Sequence, residues 1–199
     1  MSSTKVDIEE KVRFFRSFLA NPRQVGAILP TSKRAVRDML DMTNLPEARH
    51  VALLGAGTGA YLGEILKRLR PDARFLAFEI DPDLTAALSG RFEDPRLEII
   101  NDSAENIEDY LDGANVDVIV SAIPFTSLPK AARQNMLAEI SRVLAPDGVM
   151  VAIQYSPLVE KDLKRIFASV RRRISPLNVP PAFLFRCSAA LPQKEGTLR

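Results

Sequence analysis

Cysteine and histidine are nearly absent from this 199-residue chain, which has only Cys187 and His50. A single thiol cannot close an internal disulfide, and no Cys/His cluster remains to hold a metal, so disulfide scaffolds and zinc modules are excluded and no metal is expected. No run of 18 apolar residues is present, and Met1-Ser-Ser-Thr-Lys5 lacks the apolar core of a secretory leader. These absences point to an intracellular protein that touches a membrane only from its side. What is present is ordinary globular material, 46% apolar and 26% charged, enough for one domain with a packed core. Charge is segregated beneath a net value of +2: residues 1–37 hold 8 Lys/Arg against 3 Asp/Glu, residues 161–199 hold 9 against 2, and the middle is net negative by 10. Because fields are screened within roughly 8–10 Å, such segregation matters locally, and an anionic partner, lipid or nucleic acid, suits the ends.

Periodicity divides the chain into a helical entry (1–45) and an alternating body (46–199). From Asp7 to Ala20, Ile8, Val12, Phe15 and Leu19 share one helical face, widened by Phe14 and Phe18, with Arg13 and Arg16 off the stripe. Asn21-Pro22 ends that helix. A second is expected from Ser32 to about Met42, capped by Thr31 or Ser32. Strands follow at 50–54, 74–78, 97–100, 116–120 and 149–155, separated by helices through Leu69, from Pro82 to Phe92 and from Pro129 to Leu144. Alternation of this kind predicts a doubly wound, Rossmann-like α/β fold on a parallel sheet, with ligands beyond the strands' carboxyl ends.

Chemistry concentrates at those ends. Gly55-Ala-Gly57-Thr-Gly59 follows the first strand and opens a helix, either a tight turn or a place where backbone approaches a ligand. With Ala60 it also satisfies the dinucleotide pattern, which keeps a nicotinamide enzyme in view. Glu79, 20 residues after Gly59, can accept both hydroxyls of a ribose. Asp102 and Ser103 can read an adenine edge, or serve only as turn residues. The segment Leu144-Ala-Pro-Asp-Gly148 before the fifth strand is habitual in S-adenosylmethionine enzymes and favours methyl over hydride transfer. Ser121-Ala-Ile-Pro124-Phe125 ends the fourth strand, where carbonyls and Ser121 can point at an amine and Phe125 can flank it, unless that ring is core. Tyr155 either relays the amine's proton or packs over the cofactor.

Together Phe14–Leu19, Asn21-Pro22, Val25–Ser32, the glycine turn, Val120–Phe125, Gln154-Tyr155-Ser156-Pro157 and Asn178-Val-Pro-Pro-Ala182 resemble the bacterial phospholipid N-methyltransferases, over residues 12 to 186. The resemblance implies S-adenosylmethionine-dependent methylation of phosphatidylethanolamine towards phosphatidylcholine. It implies cofactor contacts at Thr31, Ser32, Gly55, Gly57, Gly59, Glu79, Ile80, Asp102, Ser103 and Ser121, catalytic roles for Tyr155 and Ser121, and substrate contacts at Phe125, Tyr155 and Asn178. Phe14, Phe15, Phe18, Arg13 and Arg16 would meet the anionic inner face of the cytoplasmic membrane, or else pack on their own sheet. Leu53 departs from the family, which usually carries an acid two residues before the first glycine; Thr31 or Ser32 could substitute. Competing readings are an RNA adenine N6-methyltransferase, weakened by the lack of an RNA-binding appendage, and a non-catalytic membrane-binding protein that keeps the fold. DNA is not an expected partner.

Overall fold

The computed structural model describes residues 31–176, 178 and 181–189. The helix expected at 7–20, and with it Phe14, Phe15, Phe18, Arg13 and Arg16, lies outside the described residues. Seven strands form one sheet in the order β3-β2-β1-β4-β5-β7-β6: β1 His50–Leu54, β2 Arg74–Phe78, β3 Leu97–Ile100, β4 Val116–Ser121, β5 Leu144–Gln154, β6 Ser169–Ser175 and β7 Ala182–Ser188. The first five run parallel, and β7 lies antiparallel between β5 and β6. The sheet is therefore mixed, a correction to the parallel sheet expected. The β6–β7 hairpin escaped notice because the edge strand β6 exposes Arg171 through Ile174 and shows no alternation of apolar and polar residues.

Helices cover both faces, namely α1 Lys33–Leu40, α2 Leu62–Leu66, α3 Pro82–Ser89, α4 Lys130–Val143 and α5 Glu160–Ile166. Ser32 caps α1, its hydroxyl accepting the Ala35 N–H at 3.1 Å, a bond contributing about 0.5–2 kcal/mol. Asp81 caps α3 just ahead of Pro82. Side chains alternating along each strand feed two cores. One joins Leu53, Phe75, Val120 and Val151 to Val36, Met39 and Leu40 of α1, and to Met42 and Leu45 beyond it. Residues 31–45 thus share the sheet's own core. The other joins Leu54, Phe78, Ile119 and Met150 to Leu137 and Ile140 of α4 and Leu163 of α5. Among the described residues no helix is long and apolar enough to cross a membrane.

The expected turn at Ala145–Gly148 is a bulge inside β5: Val116 pairs with Leu144, but Val118 pairs with Val149. A Cβ at Gly148 would sit 2.8 Å from the Val116 carbonyl oxygen and 2.9 Å from that of Ala145, so only glycine fits. The segment serves sheet geometry, which accounts for its Pro-Asp-Gly composition without a ligand.

Candidate functional site

Register brings the carboxyl ends of the strands level, Leu54 pairing with both Phe78 and Ser121. The chain leaving β1 turns at once, with the Gly55 and Ala56 N–H groups both donating to the Phe78 carbonyl, at 3.0 and 2.9 Å. Gly55, Gly57 and Gly59 all have positive φ, at 79°, 54° and 84°. Their surroundings separate their roles. A Cβ at Gly59 would collide with the Arg91 guanidinium and lie 2.7 Å from Leu88 Cδ2, so this glycine admits α3 and the turn after it. A Cβ at Gly55 would meet Ile123 Cγ1 at 3.3 Å, while one at Gly57 would meet nothing within 4 Å. Gly57 is thus the point of the turn where open space lies over the backbone.

The Gly57 N–H donates to Glu79 Oε2 at 2.7 Å, and the Asp81 N–H donates to Oε1 at 2.9 Å. Glu79 is only 1% exposed, and burial raises its pKa despite these two bonds. The Ile80 N–H also favours the charged carboxylate, and the acceptor capacity left to it, out of about four lone-pair sites, suits a ribose hydroxyl. Asn101, which sequence reasoning passed over, locks the ends of β2 and β3 together. Its Nδ2 donates to the Glu79 carbonyl at 2.9 Å and to the Ile80 carbonyl at 3.2 Å.

Asp102 is largely committed to its own turn. Its Oδ1 accepts the Ser103 N–H and Asn106 Nδ2, and its Oδ2 accepts the Tyr110 hydroxyl at 2.9 Å. Ser103 caps the 3₁₀ turn Ala104–Tyr110. Side-chain reading of an adenine edge by Asp102 is therefore narrowed to its one unspent acceptor position.

At the end of β4 the Ser121 hydroxyl is fully buried and accepts the Ile123 N–H at 3.4 Å. Phe125 does not flank an amine as expected. Its ring is 0% exposed and belongs to the core with Met136, Leu137 and Ile140, because α4 lies directly against it. The loop it anchors is clamped by two residues, Gln154 of the Gln154–Pro157 motif, to which the resemblance assigns no role of its own, and Arg133. Gln154, 2% exposed, donates from Nε2 to the Ile123 carbonyl at 2.7 Å. Arg133 donates to the Phe125 and Leu128 carbonyls and pairs with the buried Asp162 at 2.8 Å.

The expected Thr31 and Ser32 contacts are joined to their surroundings by side chains from elsewhere. The Tyr61 hydroxyl donates to Thr31 Oγ1 at 3.3 Å, and burial raises the Tyr61 phenol far above its ordinary pKa, with a smaller push from Tyr155, so it stays a proton donor. Tyr155, half-buried after β5, packs against the same core. Asn178, expected to touch substrate, is 2% exposed and uses Oδ1 to accept the Ser32 N–H at 3.0 Å. It acts as a clasp between the β6–β7 connection and the start of α1. Leu53 is fully buried between Ala77 and Val120, so the missing acid has become core.

Residues 51–148 match the family model of a methyltransferase domain. The chain is 28% identical over 179 residues to an ornithine lipid N-methyltransferase of Singulisphaera acidiphila, covering 87% of this chain and 93% of that protein. Among solved structures, human methyltransferase-like protein 13 in complex with SAH superposes with a TM-score of 0.65 at 21% identity, covering 83% of this chain and 85% of that one. A precorrin-6y C5,15-methyltransferase from Geobacter metallireducens gives 0.65 at 14% identity, covering 85% and 96%. The seven-stranded fold is that of the class I methyltransferases.

Proposed function

We propose that the chain is an S-adenosylmethionine-dependent methyltransferase and that it methylates the primary amine of a membrane lipid. The carrying observation is the similarity to the ornithine lipid N-methyltransferase, which runs through 93% of that protein rather than through a shared cofactor motif alone. Phosphatidylethanolamine, implied by the resemblance in the motifs, is the substrate we propose. Ornithine lipid is the second reading, favoured by the relative's own activity. The protein would work at the inner face of the cytoplasmic membrane.

The residues fit the cofactor: Gly57 leaves the backbone open, and the Glu79 carboxylate keeps acceptor capacity for a ribose hydroxyl. Asp102 and the Ser103 turn stand at the neighbouring strand end for the base. The cofactor supplies an electrophilic methyl group on sulfur. For the chain's own residues the task is alignment, since holding an amine in attack position contributes about 7–11 kcal/mol, more than a general base usually does. Gln154 and Arg133 hold the Ser121–Leu128 loop at a fixed distance from the glycine turn. Tyr155 is the group we assign to accept a hydrogen bond from the amine and relay its proton, passing its own hydroxyl proton on to solvent as it does so.

The test is incubation of the purified protein with a methyl-labelled donor and vesicles holding either phosphatidylethanolamine or ornithine lipid, with an RNA arm. Label in an aminolipid supports the proposal, and the lipid that takes it names the substrate. Label in RNA adenine alone, or in nothing while the cofactor binds, overturns it.

A further inference from the structure

Sheet order converts the linear charge segregation into a transverse one. Between residues 72 and 112, which build the β3-β2 side, there are twelve Asp/Glu against three Lys/Arg; between 157 and 175, which build α5 and β6 at the opposite edge, there are two against six. Among the described residues the exposed large apolar side chains are Ile174, at 56% on this edge, and Leu158, at 74% in the turn that leads from β5 into α5. Their placement has a direction. Gln154 pairs with Phe183 and Phe183 with Ile174, so Ile174 stands in the register row at the carboxyl end of the parallel strands, the end at which the glycine turn and Glu79 lie. Leu158 follows β5 at the same end.

We propose that the β6 edge, together with the turn between β5 and α5, is the surface by which the protein docks on an anionic lipid bilayer, with Leu158 and Ile174 entering the interface and Arg171 and Arg173 meeting lipid phosphates. This inference rests on the lipid reading above and names the face that meets the membrane. Among the described residues Arg171 and Arg173 have no acidic partner, whereas Arg172 is held by Glu160 at 2.6 Å and lies over the Phe183 ring. The free edge of β6 does not favour a second copy of the chain, since pairing two such strands would stack six arginines. Isolated aliphatic side chains beside arginines suit a headgroup region better than nucleic acid, which calls for aromatic stacking. The acidic β3 side is repelled by the same surface, so field and apolar contact impose one orientation.

The experiment is vesicle co-sedimentation of the full chain without cofactor or turnover, using phosphatidylcholine vesicles with and without phosphatidylglycerol. An Arg171→Ser/Arg173→Ser variant is expected to lose roughly 25-fold in partitioning on phosphatidylglycerol vesicles, about five-fold per charge, and little on phosphatidylcholine alone. A Leu158→Ser/Ile174→Ser variant is expected to lose partitioning about ten-fold or more on the anionic vesicles. Unchanged melting temperatures certify the fold, as all four side chains are exposed or at the edge. Partitioning of both variants within two-fold of the parent, or tighter binding of the parent to single-stranded RNA than to anionic vesicles, overturns the proposal. Methylation of an aminolipid alongside unaffected variants would sink the docking surface alone. Variant-sensitive docking without aminolipid methylation would sink the substrate reading alone.

Discussion

Replacing Glu79 by alanine tests the site at its centre. The substitution strips the Gly57 and Asp81 N–H groups of their acceptors, at 2.7 and 2.9 Å, in a place where water hardly reaches. Leaving a buried donor unsatisfied costs about 1–3 kcal/mol, but relief of the desolvated charge offsets part of it, so a net loss of about 2 kcal/mol is expected. For a chain of this size that lowers the melting temperature by roughly 4–8 °C. Cofactor binding should suffer more. A charge-assisted bond to a ribose hydroxyl contributes about 1.5–3 kcal/mol, so affinity for S-adenosylhomocysteine should fall by up to about 100-fold in titration calorimetry below the variant's melting point. Glu79→Gln keeps one acceptor and should fall between. Since burial raises the Glu79 pKa, protonation begins above the ordinary carboxylate range, and cofactor affinity should decline on acidification from there. The linkage to folding has the opposite sense: the raised pKa makes the Glu79 contribution to stability greatest below the unfolded-state pKa, and it is lost as pH rises through the folded one. Cofactor affinity of the alanine variant within two-fold of the parent would refute the placement of the ribose at Glu79.

The glycines should separate in their behaviour. Gly59→Ala forces a Cβ against Arg91 and Leu88 at positive φ and should cost about 2–4 kcal/mol in denaturant titrations. At Gly57, where space is open, alanine should cost only about 1–2 kcal/mol of backbone strain yet weaken cofactor binding more than Gly59→Ala does, measured on folded protein. Gln154→Ala removes the bond to the Ile123 carbonyl and should lower kcat for methyl transfer several-fold with cofactor affinity little changed; equal loss in both would count against a role in holding the acceptor loop. Cys187 is buried, and its thiol is pushed up to about 12, so alkylation at neutral pH should proceed only as fast as global or local opening; rapid labelling of native protein would contradict this.

Repeated local patterns were legible before any coordinates. β2 and β3 fall on the spans that periodicity marks, because buried parallel strands are short apolar runs, and Ser32 and Asp81 cap α1 and α3 as short polar residues ahead of helical patterns do. The glycine turn and Glu79 were visible for the same reason, since backbone conformation and a strand-end carboxylate leave a mark in the residues themselves. β6 left none, because the edge strand is wet on both faces and is defined by its partner. Gln154, Arg133, Asn101 and Asn178 were hidden or misread because their bonds reach carbonyls or N–H groups 5 to 146 residues away.

By itself, then, the sequence determined the alternation of strands and helices, the glycine turn after the first strand, and the separation of charge along the chain. These are properties of neighbours, set by sterics and hydration over a few residues. Tertiary structure alone decided that Phe125 is core, that Asn178 clasps Ser32, and that the basic and acidic segments stand at opposite edges of the sheet. Each of those depends on which distant element packs alongside, and that choice belongs to the sheet order and the register of the strands.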